Sequence, residues 1–70
     1  MSQVARIIVN GEPREVPVGL SVAGLRAQLN LDKAPCAAEV NRTLVPLREQ
    51  ATTTLRDGDV VELVTLVGGG

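Results

Sequence analysis

The chain has a β-prone apolar segment near each end, and this placement constrains its fold more than any other feature. Val4–Val9 and residues 60–67 are rich in β-branched residues, which favour extended structure. In both segments apolar side chains occupy both alternating positions, so each strand presents apolar residues to both faces of a sheet. A single short helix packed on that sheet covers only one of these faces.

Turn and helix signals divide the chain between these two segments. Asn10-Gly11 predicts a two-residue hairpin, because a type I′ turn needs positive φ at both central residues. Residues 14–18 alternate and predict the returning strand, and Pro17, which cannot donate to a ladder, should place it at a sheet edge or end it. Ser21 is a suitable helix N-cap because its hydroxyl can accept an unpaired amide proton.

The predicted helix follows Ser21. Val22, Leu25 and Leu29 fall on one helical face, which predicts a helix of about eight to ten residues that needs the sheet for stability. Gly24 inside it costs ~1 kcal/mol relative to Ala.

The second half of the chain predicts further short strands separated by turns. The resulting order is strand, strand, helix, strand, short strand, strand, which indicates an α+β domain with one helix across one face of a mixed sheet. The predicted segments are a strand at residues 36–40, a turn at 41–43, a short strand at Leu44-Val45 that Pro46 ends, an irregular or briefly helical stretch at 47–54, and a turn at 57–59.

One set of outward positions on the terminal strands is a candidate docking patch for a partner protein. Alternate residues of the two terminal strands point to opposite faces of the sheet, and we expect the helix to leave one face uncovered. The covered face would carry Ala5, Ile7, Val9, Val61 and Leu63. A wider core or scattered exposed aliphatic residues is the alternative interpretation. The candidate patch consists of Val4, Ile8, Val60, Val64 and Leu66.

Composition excludes several function classes. The net charge of −1 argues against a nucleic-acid binder or a polybasic membrane anchor, and no apolar run is long enough to span a bilayer. The absence of His removes the usual catalytic triads and the commonest metal ligand, and the absence of aromatic residues removes base-stacking platforms. We therefore expect a cytoplasmic binding or carrier protein with no metal site, and not an enzyme in its own right.

Several motifs together resemble the ThiS-type sulfur carriers of thiamine biosynthesis, which are ubiquitin-like β-grasp proteins. The resemblance covers nearly the whole chain, and the glycine terminus after a strand is its most specific part. The motifs are Val9-Asn10-Gly11-Glu12, the helix at residues 22–29, Glu39-Val40-Asn41, Leu44-Val45-Pro46, Asp57-Gly58-Asp59-Val60-Val61-Glu62 and Val67-Gly68-Gly69-Gly70.

The resemblance implies a β-grasp domain at residues 1–67, with roughly four to five strands, and a flexible glycine tail at 68–70. It also implies that the α-carboxylate of Gly70 is adenylated and then converted to a thiocarboxylate. Gly68 and Gly69 would thread into partner active sites, where a Cβ would meet the channel wall. No cofactor is expected on the chain itself.

The implied partners are enzymes. A ThiF-like, ubiquitin-activating-type adenylating enzyme would use ATP, a persulfide donor such as a cysteine desulfurase would supply sulfur, and thiazole synthase would receive it.

Other residues have simpler interpretations. Cys36 could carry a persulfide, but a Cys in an apolar strand usually packs as a small hydrophobic residue. Arg48, Arg56 and Glu62 are candidate partner contacts, although a solvated charged face is the commoner explanation for each of them. Asp57-Gly58-Asp59 lacks the further oxygens of a calcium loop and is a turn.

Four alternative functions stay open on the sequence. The small subunit of molybdopterin synthase resembles this chain in fold and glycine terminus but tends to be longer and richer in aromatic residues, and carriers that thiolate tRNA or other acceptors share the chemistry. TGS domains are similar regulatory β-grasp modules, but they lie inside larger chains and need no free glycine terminus. A ubiquitin-like modifier would join Gly70 to lysines of target proteins.

Overall fold

The computed structural model of the chain describes residues 3–65. One helix, α1 (Val22–Gln28), accompanies a five-stranded sheet. The strands are β1 (Val4–Val9), β2 (Glu12–Pro17), β3 (Cys36–Val40), β4 (Thr43–Val45) and β5 (Val60–Thr65).

The strand order across the sheet is β2-β1-β5-β3-β4. The first and last strands, β1 and β5, lie side by side and parallel, while every other pair is antiparallel. This mixed sheet with a single helix is the β-grasp fold that the sequence predicts.

The β1–β2 hairpin forms through the predicted turn. Asn10 has φ +50° and Gly11 has φ +85°, as a type I′ turn requires. The prediction for the returning strand was wrong at its boundaries, because β2 starts directly after Gly11 and ends at Pro17. A two-residue turn leaves Val9 opposite Glu12, so pairing resumes at once. Proline is tolerated along β2 because β2 lies at the sheet edge.

Helix α1 starts at the predicted cap. The Ser21 hydroxyl accepts a hydrogen bond from the Gly24 amide at 3.0 Å. The helix is shorter than predicted, because Leu29 is its C-cap. A Cβ at Gly24 would lie 2.6 Å from Cδ1 of Leu20, so the glycine allows close packing of the preceding loop.

The hydrophobic core lies between α1 and the inner face of the sheet. All five residues predicted for the inner parity of β1 and β5 are buried. Other elements complete the core with Val16, Val22, Leu25, Cys36, Ala38, Val45 and Leu55.

A polar network that the sequence did not indicate lies buried beside this core. Arg26 of α1 is 7% exposed, and its guanidinium donates to Oε1 of Gln50 at 2.9 Å and to the carbonyls of Leu31 and Ala34 at 3.0 and 2.8 Å. All these acceptors are neutral, and Nε of Arg26 has no partner. The network ties the helix to the loop that leads into β3.

Gln50 extends this network to the sheet. It is 2% exposed, and its Nε2 donates to the carbonyls of Cys36 and Val45 at 3.4 and 3.3 Å. The irregular segment predicted at 47–54 contains a short 3₁₀ helix, Leu47–Glu49, directly before Gln50. This segment therefore holds the start of β3 and the end of β4 in place.

The last strand is described as far as Thr65. The prediction extended it to residue 67, and residues 66 and 67 lie outside the described residues. The predicted division between the domain at 1–67 and the tail at 68–70 also lies outside them.

Candidate functional site: the outer sheet face and the end of β5

The outer face of the sheet carries the predicted docking residues. Val4 and Ile8 of β1 are each 39% exposed, and Val60 and Val64 of β5 are 44% and 55% exposed. Ile8 and Val60 are neighbours in the parallel β1–β5 pair, so the two strands form one surface. We call these four residues the apolar patch. Leu66, which was also predicted to belong to it, lies outside the described residues.

The β3–β4 hairpin extends this surface, which the sequence analysis missed. Leu44 of β4 is 61% exposed and pairs with Glu39 of β3, while Ala37 of β3 pairs with Val64. The signal that could have revealed this extension is the alternation of β3. Cys36 and Ala38 point inward, so Ala37 and Glu39 must point to the outer face.

The last described residue of β5 lies beside the start of β3. Thr65 is the partner of Cys36 in the antiparallel register. The predicted sulfur-carrying residue Gly70 and the predicted threading residues Gly68 and Gly69 lie beyond this point, outside the described residues. The last described residue, Thr65, directly follows Val64 of the apolar patch.

Two asparagine side chains hold β5 in register. Asn10 Oδ1 accepts from the Leu63 amide at 2.9 Å, and its Nδ2 donates to the Leu63 carbonyl at 3.2 Å. On the other side of β5, Asn41 Oδ1 accepts from the Val60 amide at 2.9 Å. Because both asparagines lie in turns with positive φ, the turns fix the position of the strand that leads to the tail.

Cys36 is buried, as predicted for a packing residue. Its side chain lies on the inner face at the start of β3, and its thiol donates to the Ala37 carbonyl at 3.6 Å.

The residues around Asp57-Gly58-Asp59 form the predicted turn. Asp57 Oδ1 accepts from the Arg6 amide, and Asp59 Oδ2 accepts from the Arg56 amide, both at 2.8 Å. Gly58 has φ +90°. Asp59 therefore closes the turn, and Asp57 ties the turn to β1.

Within residues 3–65 the structure shows no group of three or more acidic, Cys or His residues that could hold a metal ion. The helix in this range is also too short to cross a membrane.

The family model that matches this chain is the ThiS family, over residues 7–70. A relative of similar size is the sulfur carrier protein ThiS of Escherichia coli, which is 29% identical over 93% of this chain and 98% of that protein.

The chain also resembles part of a larger protein. It is 34% identical over 93% of its length to a segment of the thiazole synthase of Paramagnetospirillum magneticum, and it spans only about 20% of that synthase.

A solved structure agrees with the fold. The thiamine biosynthesis protein ThiS of Geobacter metallireducens matches with a TM-score of 0.77 and 32% identity, over 93% of this chain and 99% of that one. The order of elements, the sheet and the family match agree, and the chain belongs to the ThiS family.

Proposed function

We propose that this chain is a sulfur carrier of thiamine biosynthesis, a substrate of other enzymes and not itself a catalyst. The observation that carries the proposal is the run Gly68-Gly69-Gly70 following β5 in a chain that the ThiS family model matches through residue 70. The relative from Escherichia coli that covers almost the same length is a sulfur carrier protein.

The proposed reactive group is the α-carboxylate of Gly70. It is ionised at neutral pH, so it is a poor electrophile but can attack the α-phosphorus of ATP and release pyrophosphate. The product is an acyl-adenylate with AMP as a good leaving group. A ThiF-like adenylating enzyme would hold the ATP, which leaves the carrier itself without a bound cofactor.

Sulfur would enter in the second step. The terminal sulfur of a persulfide, such as one on a cysteine desulfurase, attacks the activated carbonyl and expels AMP. A thiol then cleaves the resulting acyl disulfide, which leaves a thiocarboxylate on Gly70 and a disulfide on the donor side. The thiocarboxylate passes its sulfur to thiazole synthase.

Docking on the apolar patch would offset the entropic cost of ordering the tail in an enzyme's active site. Fixing each residue of the tail in an active-site channel costs ~1–2 kcal/mol of backbone entropy. Val60 and Val64 lie on β5, the strand that leads to the tail, and Val4 and Ile8 lie on the neighbouring strand β1, so burying these residues against an enzyme can offset this cost. Thiazole synthase as a partner is supported by the synthase that contains a similar segment within its own chain.

Deletion of Gly69 and Gly70 tests the proposal. We expect the shortened protein to keep its circular dichroism spectrum and to lose all sulfur loading, because the carboxylate would no longer reach the adenylating site. The matched control is Gly11→Ala, which changes a glycine of the β1–β2 turn and should leave loading intact in the folded fraction. Loading of the shortened protein would contradict the proposal.

A further inference from the structure

Two glutamates face each other on the outer side of the sheet. Glu39 of β3 and Glu62 of β5 are direct partners in the antiparallel register, and both are exposed. Like charges directly opposite one another in a sheet are destabilising. In the part of the chain that the structure describes, neither carboxylate takes part in an ion pair or a hydrogen bond.

Apolar side chains surround this acidic pair. Leu44 of β4 is the direct register partner of Glu39, and Val64 lies two residues beyond Glu62 on the same face of β5. Glu39, Glu62 and Val60 line a shallow depression of about 370 Å³. The outer face thus presents an acidic pair beside aliphatic residues, and its other charged pair, Arg6 with Glu15, is joined in an ion pair at 3.3 Å.

Arg42 also lines the depression, but it makes no ion pair with either glutamate. Two carboxylates are too few to hold a calcium ion, which takes about six to eight oxygen ligands. A protein side chain with a positive charge therefore fits this site better than a metal ion.

We propose that the depression receives a lysine or arginine side chain of the adenylating enzyme that docks on the apolar patch. This rests on the proposed function. A cation placed between Glu39 and Glu62 relieves their repulsion and gains charge-assisted hydrogen bonds. The aliphatic residues around it exclude water, which strengthens this contact and makes the acidic pair a determinant of partner choice.

The test measures binding of the ThiF-like adenylating enzyme of the source organism to purified carrier over a range of salt concentrations. We expect Glu39→Gln and Glu62→Gln each to weaken binding about tenfold and to reduce its salt dependence. Glu12→Gln is the matched control, because it makes the same change in net charge on the opposite parity, across from the buried Val9. It should bind as the unchanged protein does.

Stability of the free carrier provides a second readout. If the two carboxylates repel each other, both Gln variants should be at least as stable as the unchanged protein. Loss of stability together with unchanged binding would show that Arg42 satisfies the pair within the carrier, and this would overturn the proposal.

The remaining outcomes separate this proposal from the proposed function. If the unchanged carrier acquires a thiocarboxylate but both Gln variants bind with unchanged or higher affinity, the acidic pair has no docking role although the carrier function stands. If the unchanged carrier neither binds the adenylating enzyme nor acquires sulfur, both proposals fail.

Discussion

Disrupting the buried Arg26–Gln50 network should lower the free energy of unfolding by a measurable amount. Gln50→Leu keeps a side chain of similar size but removes the acceptor at 2.9 Å from the Arg26 guanidinium. It also removes the donor to the carbonyls of Cys36 and Val45. The charge of Arg26 then remains buried with one fewer partner.

The magnitude follows from the bonds that are lost. A hydrogen bond to a charged group contributes ~1.5–3 kcal/mol, and the two longer bonds of Gln50 contribute ~0.5 kcal/mol each. The apolar leucine recovers part of this, so we expect a net loss of ~2–3 kcal/mol in the free energy of unfolding for Gln50→Leu. Arg26→Met should cost a similar amount, because it removes the side-chain donor to the Ala34 carbonyl and leaves the Leu31 carbonyl with only the longer bond from the Ala34 amide at 3.5 Å.

The double variant is the decisive one. Arg26→Met with Gln50→Leu removes the buried charge together with its acceptor, so its cost should fall ~1.5 kcal/mol short of the sum of the single variants. The assay is thermal unfolding by far-ultraviolet circular dichroism, because the chain has no Trp or Tyr. Each kcal/mol corresponds to ~4–8 °C in Tm for a domain of this size.

Gln28→Leu, at an exposed position of the same helix, is the matched control and should change stability by less than ~0.5 kcal/mol. Additive costs within ~0.5 kcal/mol, or a Gln50→Leu variant as stable as this control, would refute the reasoning.

Three further predictions concern β5 and sulfur loading. Asn10→Ala should lower the free energy of unfolding by ~1–2 kcal/mol more than Asn30→Ala does, as measured by thermal unfolding. Both positions have positive φ, but only the Asn10 side chain bonds to β5. Equal losses for the two variants would contradict this. Cys36→Ser should retain sulfur loading in its folded fraction, since the thiol is buried; lost loading in a folded variant would assign it a chemical role. Val64→Glu should weaken enzyme binding at least tenfold, whereas Leu47→Glu, at an exposed position of the 3₁₀ helix outside the apolar patch, should not; equal effects would remove the apolar patch as a docking surface.

Local signals in the sequence were sufficient for the turns and the helix start. The Asn10-Gly11 turn and the Ser21 cap depend on conformations and hydrogen bonds within a few residues, so they could be predicted without the rest of the fold. The parity of β1 and β5 also identified the exposed and buried faces correctly for the described residues. Strand β2 was placed at residues 14–18 from its alternation, whereas the two-residue turn lets pairing resume at Glu12.

Contacts between distant segments could not be predicted from these signals. Asn10 bonds to Leu63, 53 residues away, and Arg26 bonds to Gln50, 24 residues away. Neither pair has a local pattern, because each partner acquires its role only when the sheet and helix have assembled. The opposed Glu39 and Glu62 likewise become apparent only from the register of β3 and β5.

The most direct test of the carrier function is the intact mass of the protein after incubation with ATP, cysteine and an extract of the source cells in which thiamine synthesis is active. The carrier function predicts replacement of one oxygen by sulfur, and fragmentation should locate the change at Gly70. An unchanged mass would contradict the carrier function and favour a binding module. A gain located at Cys36 would contradict the proposed chemistry of the glycine terminus.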